Sequence, residues 1–248
     1  MREDAVTGRR GRFPTTRLSA VREAGSSDPD TRERGFSAVV DAYWKSAYKY
    51  LRLRWREDGE GARDLTQGFF ARAFEKSWLS AYDARKGSFR TFLRTCLDGY
   101  VANERKASRR LKRDPGAPLL SLDFESAEGE ISERPLPAGK PLEDVFHDEF
   151  VRGLFSAALA ELEAECGRRG KSPAFRLFEA YDLDPPGGAP TYAELGRELS
   201  LSVTEVTNQL AFARRTFRRI VLERLRRVTG SEREYREEVR AILGRGAP

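Results

Sequence analysis

Three observations predict an all-α chain built as two helical domains joined by an acidic linker rich in proline and glycine. Apolar residues recur at intervals of three and four through most of the sequence. Two hydroxyl residues, Thr191 and Ser202, each stand three positions before a glutamate at the start of an apolar-periodic run. One central stretch, from 114 to 148, interrupts the period with clustered prolines and glycines. At 248 residues and 39% apolar content, the chain can bury a core of some size in one domain or two modest ones.

Residues 1–34 hold eight basic and six acidic residues among Gly, Ser, Pro and Thr, a composition expected to bury little and to form a tail. From Phe36, an apolar stripe of Val39, Val40, Tyr43, Trp44, Ala47, Tyr48 and Leu51 predicts a helix of four or more turns. Asp58, Gly59 and Gly61 break the pattern, and a second helix is expected from about Ala62 through Leu65, Phe69, Phe70, Ala73 and Phe74. A third stripe runs Phe89, Phe92, Leu93, Cys96, Leu97, Tyr100 and Val101, so residues 35–113 read as one helical domain. After the linker, Val151, Leu154, Phe155, Ala158, Leu159 and Leu162 open a second domain over 149–227, in which Phe175, Phe178 and Tyr181 mark a further helix. Residues 228–248 are expected to add a C-terminal helical extension.

Lys and Arg number 45 against 39 Asp and Glu, a net charge of +6, but the placement of the charge says more than its sum. Residues 101–113 carry six basic groups and one acid, residues 214–227 seven and one, whereas residues 114–150 hold ten acids and two basic groups. Two separated positive patches suggest two contacts with a polyanion, and the negative span between them can lie against a basic surface when DNA is absent.

Residues 191–227 hold the most specific local chemistry. Thr191 with Glu194 and Ser202 with Glu205 form capping boxes that open two helices joined by a very short turn. Leu195 and Leu199 on the first helix, with Val203, Val206, Leu210, Ala213 and Phe217 on the second, can hold the pair together as a helix-turn-helix. The opposite face of the second helix then presents Thr204, Asn208, Ala211, Phe212, Arg215 and Arg219. Asn208 suits adenine, Ala211 and Phe212 suit thymine methyl groups, and the arginines suit phosphate or guanine.

The chain resembles a bacterial RNA polymerase sigma factor of the sigma-70 family, extracytoplasmic-function type. ARDLTQGFFARAFEK at 62–76, GSFRTFLRTCLDGYVANERKASRR at 87–110 and YAELGRELSLSVTEVTNQLAFARRTF at 192–217 carry the resemblance, in that order, over about residues 36–227. It implies that 35–113 is similar to region 2 and binds core polymerase through Asp64, Leu65, Gln67 and Phe70, with Leu65 and Phe70 more structural. The family commonly has Glu where Gly68 stands here. The loop Trp78 to Ser88 and the helix after it would engage the minus-10 element through Asn103, Arg105, Lys106, Arg109 and Arg110, with an extruded base entering a small pocket. Residues 149–227 are similar to region 4, and the resemblance places Thr204, Thr207, Asn208, Gln209, Phe212, Arg215, Arg218 and Arg219 at the minus-35 element. Many members carry basic residues at the positions of Thr207, Gln209 and Phe212, so the first two turns of this helix are unusually neutral. The stretch CGRRGKSPAFRLFEAYDLDPPGGAP is longer than a minimal region 4 needs.

The expected partners are therefore core RNA polymerase and promoter DNA, with room for an inhibitory protein, and no cofactor, metal or enzymatic activity. His147 is the sole histidine, and no HExxH, Walker A or GxGxxG sequence occurs. Cys96 and Cys166 lie in helical patterns and suggest no disulfide. No apolar run approaches the roughly 20 residues of a membrane span, and a cytoplasmic location is expected. Two other readings stay open: a helix-turn-helix transcription regulator that does not engage polymerase, and a sigma-like adaptor without promoter specificity.

Overall fold

The computed structural model describes residues 19–108, 122–133, 141–183 and 190–244. The described residues form ten α-helices and one 3-10 turn, with no strand. In chain order these are α1 (Ala20–Ala24), α2 (Pro29–Arg54), α3 (Gly59–Glu75), the 3-10 turn (Trp78–Ala81), α4 (Phe89–Ser108), α5 (Phe124–Glu133), α6 (Leu142–Arg168), α7 (Ser172–Asp182), α8 (Tyr192–Leu199), α9 (Val203–Val228) and α10 (Glu232–Leu243). None of them is long and apolar enough to cross a membrane. Cys96 and Cys166 are both free.

Local signals explain the helix starts. The Asp28 carboxylate accepts the Thr31 N–H at 2.9 Å and Pro29 occupies the first turn, so α2 begins before the apolar stripe does. Asp58 accepts the Gly61 N–H at 2.7 Å and starts α3 at Gly59, ahead of Ala62. The expected tail is correspondingly shorter: Ser19 to Arg34 is largely helical, and Ala20, Val21 and Ala24 of α1 are buried in the core. Gly35 permits this, since a Cβ there would overlap the α1 backbone.

Residues from both expected halves contribute to one continuous apolar core. It draws Tyr43 and Leu51 from α2, Phe69 and Phe70 from α3, Phe89 and Leu97 from α4, Phe146 and Phe150 from α6, and Ile220 and Leu225 from α9. Tyr43 stacks on Phe150 with ring centroids 4.9 Å apart and on Phe146 at 6.4 Å, while Tyr50 meets Phe146 edge-on at 5.7 Å. Helix α6 begins seven residues before the boundary at 149, and Phe146 in that earlier stretch packs on Tyr43 and Tyr50 of α2.

The expected linker is also more ordered than its composition suggests. Within it, α5 lies on α2 through Glu128 and Glu130, and these acids meet Arg52, Lys45 and Lys49 of α2 rather than the basic runs of α4 or α9. Lys49 is only 1% exposed, and its ammonium sits 2.6 Å from both Glu130 and Glu149. A buried ammonium without such partners would carry a desolvation penalty of about several kcal/mol.

The C-terminal extension is an integral part of the fold. Glu234 of α10 is 5% exposed. It accepts the Phe89 N–H at 2.6 Å, the Gly230 N–H at 2.8 Å and the Tyr82 hydroxyl at 3.0 Å, so it caps α4 from a helix nearly 150 residues away. Burial holds this carboxyl above its ordinary pKa, although the donors from Gly230, Phe89 and Tyr82 pull the other way. Glu238 adds an ion pair to Arg90 at 2.8 Å. A side chain at Gly230 would overlap the Tyr82 ring, which explains the glycine there.

Candidate nucleic-acid interface

Both capping boxes form. Thr191 and Ser202 donate their backbone N–H to Glu194 and Glu205 at 2.7 and 2.8 Å, and each hydroxyl oxygen accepts the glutamate's N–H at 3.2 Å. These backbone and hydroxyl donors hold both carboxyls below their ordinary pKa. Ser200 takes the left-handed conformation at φ 55° that closes α8, and the Leu201 N–H returns to the Gly196 carbonyl at 2.8 Å. A side chain on Gly196 would overlap the Leu201 carbonyl oxygen, so glycine sets the tightness of this turn. Leu177, Leu195, Val206 and Leu210 form a small separate core that fixes the angle between α8 and α9.

This geometry leaves part of the expected reading face open. Thr204, Thr207, Asn208 and Arg215 are exposed on α9, although the Thr207 hydroxyl is already donated to the Val203 carbonyl at 2.9 Å. Asn208 and Arg215 are presented to solvent on the face away from Val206 and Leu210. Val203 was expected to pack between the helices. Instead it is 52% exposed at the start of α9 and offers an apolar contact beside Thr204 and Thr207.

Other members of the expected set are partly buried or make contacts within the fold. Phe212 is half-buried and packed on the core, with the Lys171 ammonium 4.2 Å and the Arg169 guanidinium 5.8 Å from its ring centre. It therefore holds two cations of the α6–α7 turn beside α9. Gln209 is half-buried and its Oε1 has no partner. Arg219 is paired with Glu165 and Glu223, which hold its guanidinium above the usual pKa, the Glu223 hydrogen bond contributing most. Arg218 is partly buried, with one buried guanidinium nitrogen unpartnered. Arg214 is bound by both Asp182 oxygens at 2.9 to 3.3 Å and lies over Tyr181. The longer connection before the helix-turn-helix thus supplies cations at α9, a role that the spacing of residues 166–190 does not reveal.

On the other half of the molecule, Trp78, Phe92 and Tyr100, with Arg72, Asn103 and Glu104, line an open cleft of about 490 Å³ between the 3-10 turn and α4. Tyr100 lies 5.9 Å from the Phe69 ring and 6.2 Å from Trp78. Burial pushes its hydroxyl up to about 12, so it remains a hydrogen-bond donor at neutral pH. The Tyr100 hydroxyl occupies the space that a side chain at Gly68 would fill, so a glutamate there would require the wall of this cleft to move.

Of the expected minus-10 set, Asn103 and Lys106 are exposed. Arg105 is tied to the α2–α3 turn: it donates to Glu57 and to the Trp55 carbonyl, and its guanidinium sits 4.7 Å over the Trp55 ring. Arg109 and Arg110 lie outside the described residues. Of the expected polymerase contacts, Asp64 is exposed, Leu65 and Gln67 are half-buried, and Phe70 is 1% exposed and packs edge-on against Phe69 and Phe36. Phe70 therefore supports the surface from behind.

Comparison with known protein families, curated proteins and solved structures returns no match.

Proposed function

We propose that the chain is a specificity subunit of bacterial RNA polymerase of the sigma type, which binds the core enzyme, directs it to a promoter and helps to open the DNA. One observation carries this reading. The same chain presents a capped helix-turn-helix with Asn208 and Arg215 exposed on its second helix, and an aromatic cleft beside Asn103 and Lys106. The first suits base edges in a duplex major groove, and the second suits an unstacked base with its phosphates. Capture of such a base would offset part of the energy of unpairing it. Phosphodiester formation would remain with the core enzyme. Asp64 and Gln67, on the outer side of α3, are the polar groups proposed to meet polymerase.

A second reading, a helix-turn-helix regulator that does not engage polymerase, is favoured by the continuous core that joins the two halves. Core binding separates the two. The full chain should bind purified core polymerase, and Asp64→Lys with Gln67→Lys should weaken that binding while leaving the affinity of the full chain for DNA nearly unchanged. Absence of core binding by the folded wild-type chain, or equal core affinity for the folded double variant, would leave the regulator ahead.

A further inference from the structure

The contacts of α5 describe a recognition site as well as a packed helix. Phe124 is 5% exposed and sits between Trp44 and Tyr48, at 5.4 and 5.0 Å between ring centres, with the Arg63 guanidinium 5.3 Å from its own ring centre. One turn later Ala127 is fully buried, and Glu128 accepts hydrogen bonds from the Tyr48 hydroxyl and the Arg52 guanidinium. Glu130 meets Lys45 at 2.8 Å and Lys49 at 2.6 Å. An isolated helix of 10 residues is too short to be stable in water, so this face of α2 and α3 is what holds α5 in shape.

The charges are arranged so that α5 can leave without stranding any of them. Among the described residues, Lys49 is the only deeply buried cation at the contact, and it keeps Glu149 of α6 when Glu130 departs. Lys45 and Arg52 have side chains 32% and 26% exposed and stand at the rim, where water can replace the carboxylates, and Arg52 also donates to the Glu57 carbonyl. Helix α10 is different: removing Glu234 would leave the Phe89 and Gly230 N–H groups buried and unpaired.

We propose that the face formed by Trp44, Lys45, Tyr48, Arg52 and Arg63 is a docking site for an acidic helix bearing one aromatic anchor, occupied in cis by α5 and opened to a partner protein's helix of the same chemistry. The pattern such a helix must match is that of α5: an aromatic residue, a small residue three positions on, then carboxylates four and six positions on from the aromatic. Tethered α5 competes at an effective concentration on the order of millimolar, so a partner must either bind tightly or arrive with additional contacts. This proposal does not depend on the polymerase reading, and its test uses neither polymerase nor DNA.

The test uses the full chain and a fluorescently labelled peptide of residues 122–133. In the variant Phe124→Ser with Glu128→Gln and Glu130→Gln, α5 is detached and the peptide should bind saturably. Wild type should bind it at least about tenfold more weakly, because its own α5 fills the site. Adding Arg52→Glu, or raising salt to about 0.5 M, should weaken binding on the order of tenfold through loss or screening of the charge pairs. Equal binding to wild type and variant, no binding to a folded variant, or displacement by a single-stranded oligonucleotide but not by excess acidic peptide would each overturn the proposal. Hydrogen exchange on the wild-type chain gives an independent check should the variant fail to fold. Amides 124–133 should open far more readily than those of Tyr43 to Leu51, whereas equal protection of the two segments would overturn the proposal.

Discussion

Replacing Glu234 by glutamine tests whether the C-terminal helix is fixed to the first half of the chain by the hydrogen bonds described above. One carboxylate oxygen accepts from the Phe89 N–H at 2.6 Å, and the other accepts from the Gly230 N–H at 2.8 Å and the Tyr82 hydroxyl at 3.0 Å. Glutamine has a single acceptor oxygen. With that oxygen toward Phe89, the amide NH2 confronts the Gly230 N–H, while the Tyr82 hydroxyl can turn to the Gly87 carbonyl at 3.1 Å. With the oxygen reversed, the NH2 confronts the Phe89 N–H. Either orientation leaves one buried N–H without an acceptor, which costs about 1–3 kcal/mol. At this chain length each kcal/mol corresponds to about 2–4 °C in Tm. Tyr82→Phe removes one hydrogen bond while Glu234 keeps two donors, so it should cost only about 0.5–1.5 kcal/mol. Urea unfolding of wild type and both variants measures the two quantities. A Glu234→Gln chain within about 0.5 kcal/mol of wild type, or a Tyr82→Phe chain less stable than Glu234→Gln, would refute the reasoning.

Three further outcomes follow from the same geometry. Asn208→Ala should lose discrimination at one or two base positions, by about 1–3 kcal/mol, on a panel of single-base promoter variants; a uniform loss across the panel would make Asn208 a positioning residue. Ser202→Ala removes the hydroxyl that caps α9 and should lower stability by about 1 kcal/mol in chemical denaturation, with no effect if water caps the helix equally well. The docking of α5 should weaken in acid. Arg52 and Tyr48 hold Glu128 below its ordinary pKa despite its burial, and Lys45 and Lys49 do the same for Glu130, where burial is the largest opposing influence. Carboxyls with depressed folded-state values contribute stability above the ordinary carboxyl range and lose it as pH falls through the depressed values. Protection of amides 124–133, corrected for the intrinsic pH dependence of exchange, should therefore fall over that acid window before that of the amides of α2, and simultaneous loss of protection would contradict the assignment.

Helical periodicity made α2, α3, α4 and α6 legible because their apolar faces are long and little interrupted. The capping boxes located α8 and α9 to the residue, because side-chain chemistry at a helix start is local. The start of α2 was missed although Asp28-Pro29 is a helix-start signal, since the charged and Gly-rich composition around it suggested a tail. Helix α5 was hidden because FESAEGEISE is acidic and contains Gly129, and its anchor Phe124 acquires meaning only against Trp44 and Tyr48. Periodicity shows that Tyr43 and Phe150 each lie on an apolar face, but not that the two faces meet. Burial of Glu234 in a helix otherwise dominated by charge could not be read either, because its three donors lie in other segments. At the candidate interface, residue type suggested contacts for Phe212, Arg105 and Arg219, and each of the three also makes an intramolecular contact that its position in the sequence does not announce. The aromatic cleft is assembled from α3, the 3-10 turn and α4, so no single stretch of sequence announces it.

Transcription in vitro with purified core polymerase and a library of promoter sequences tests the central claim most directly. The account predicts that adding the chain selects a defined set of start sites, and that Asn208→Ala alters the selected upstream bases while the start chemistry is unchanged. Core polymerase that binds the folded chain yet shows no selected starts would contradict it.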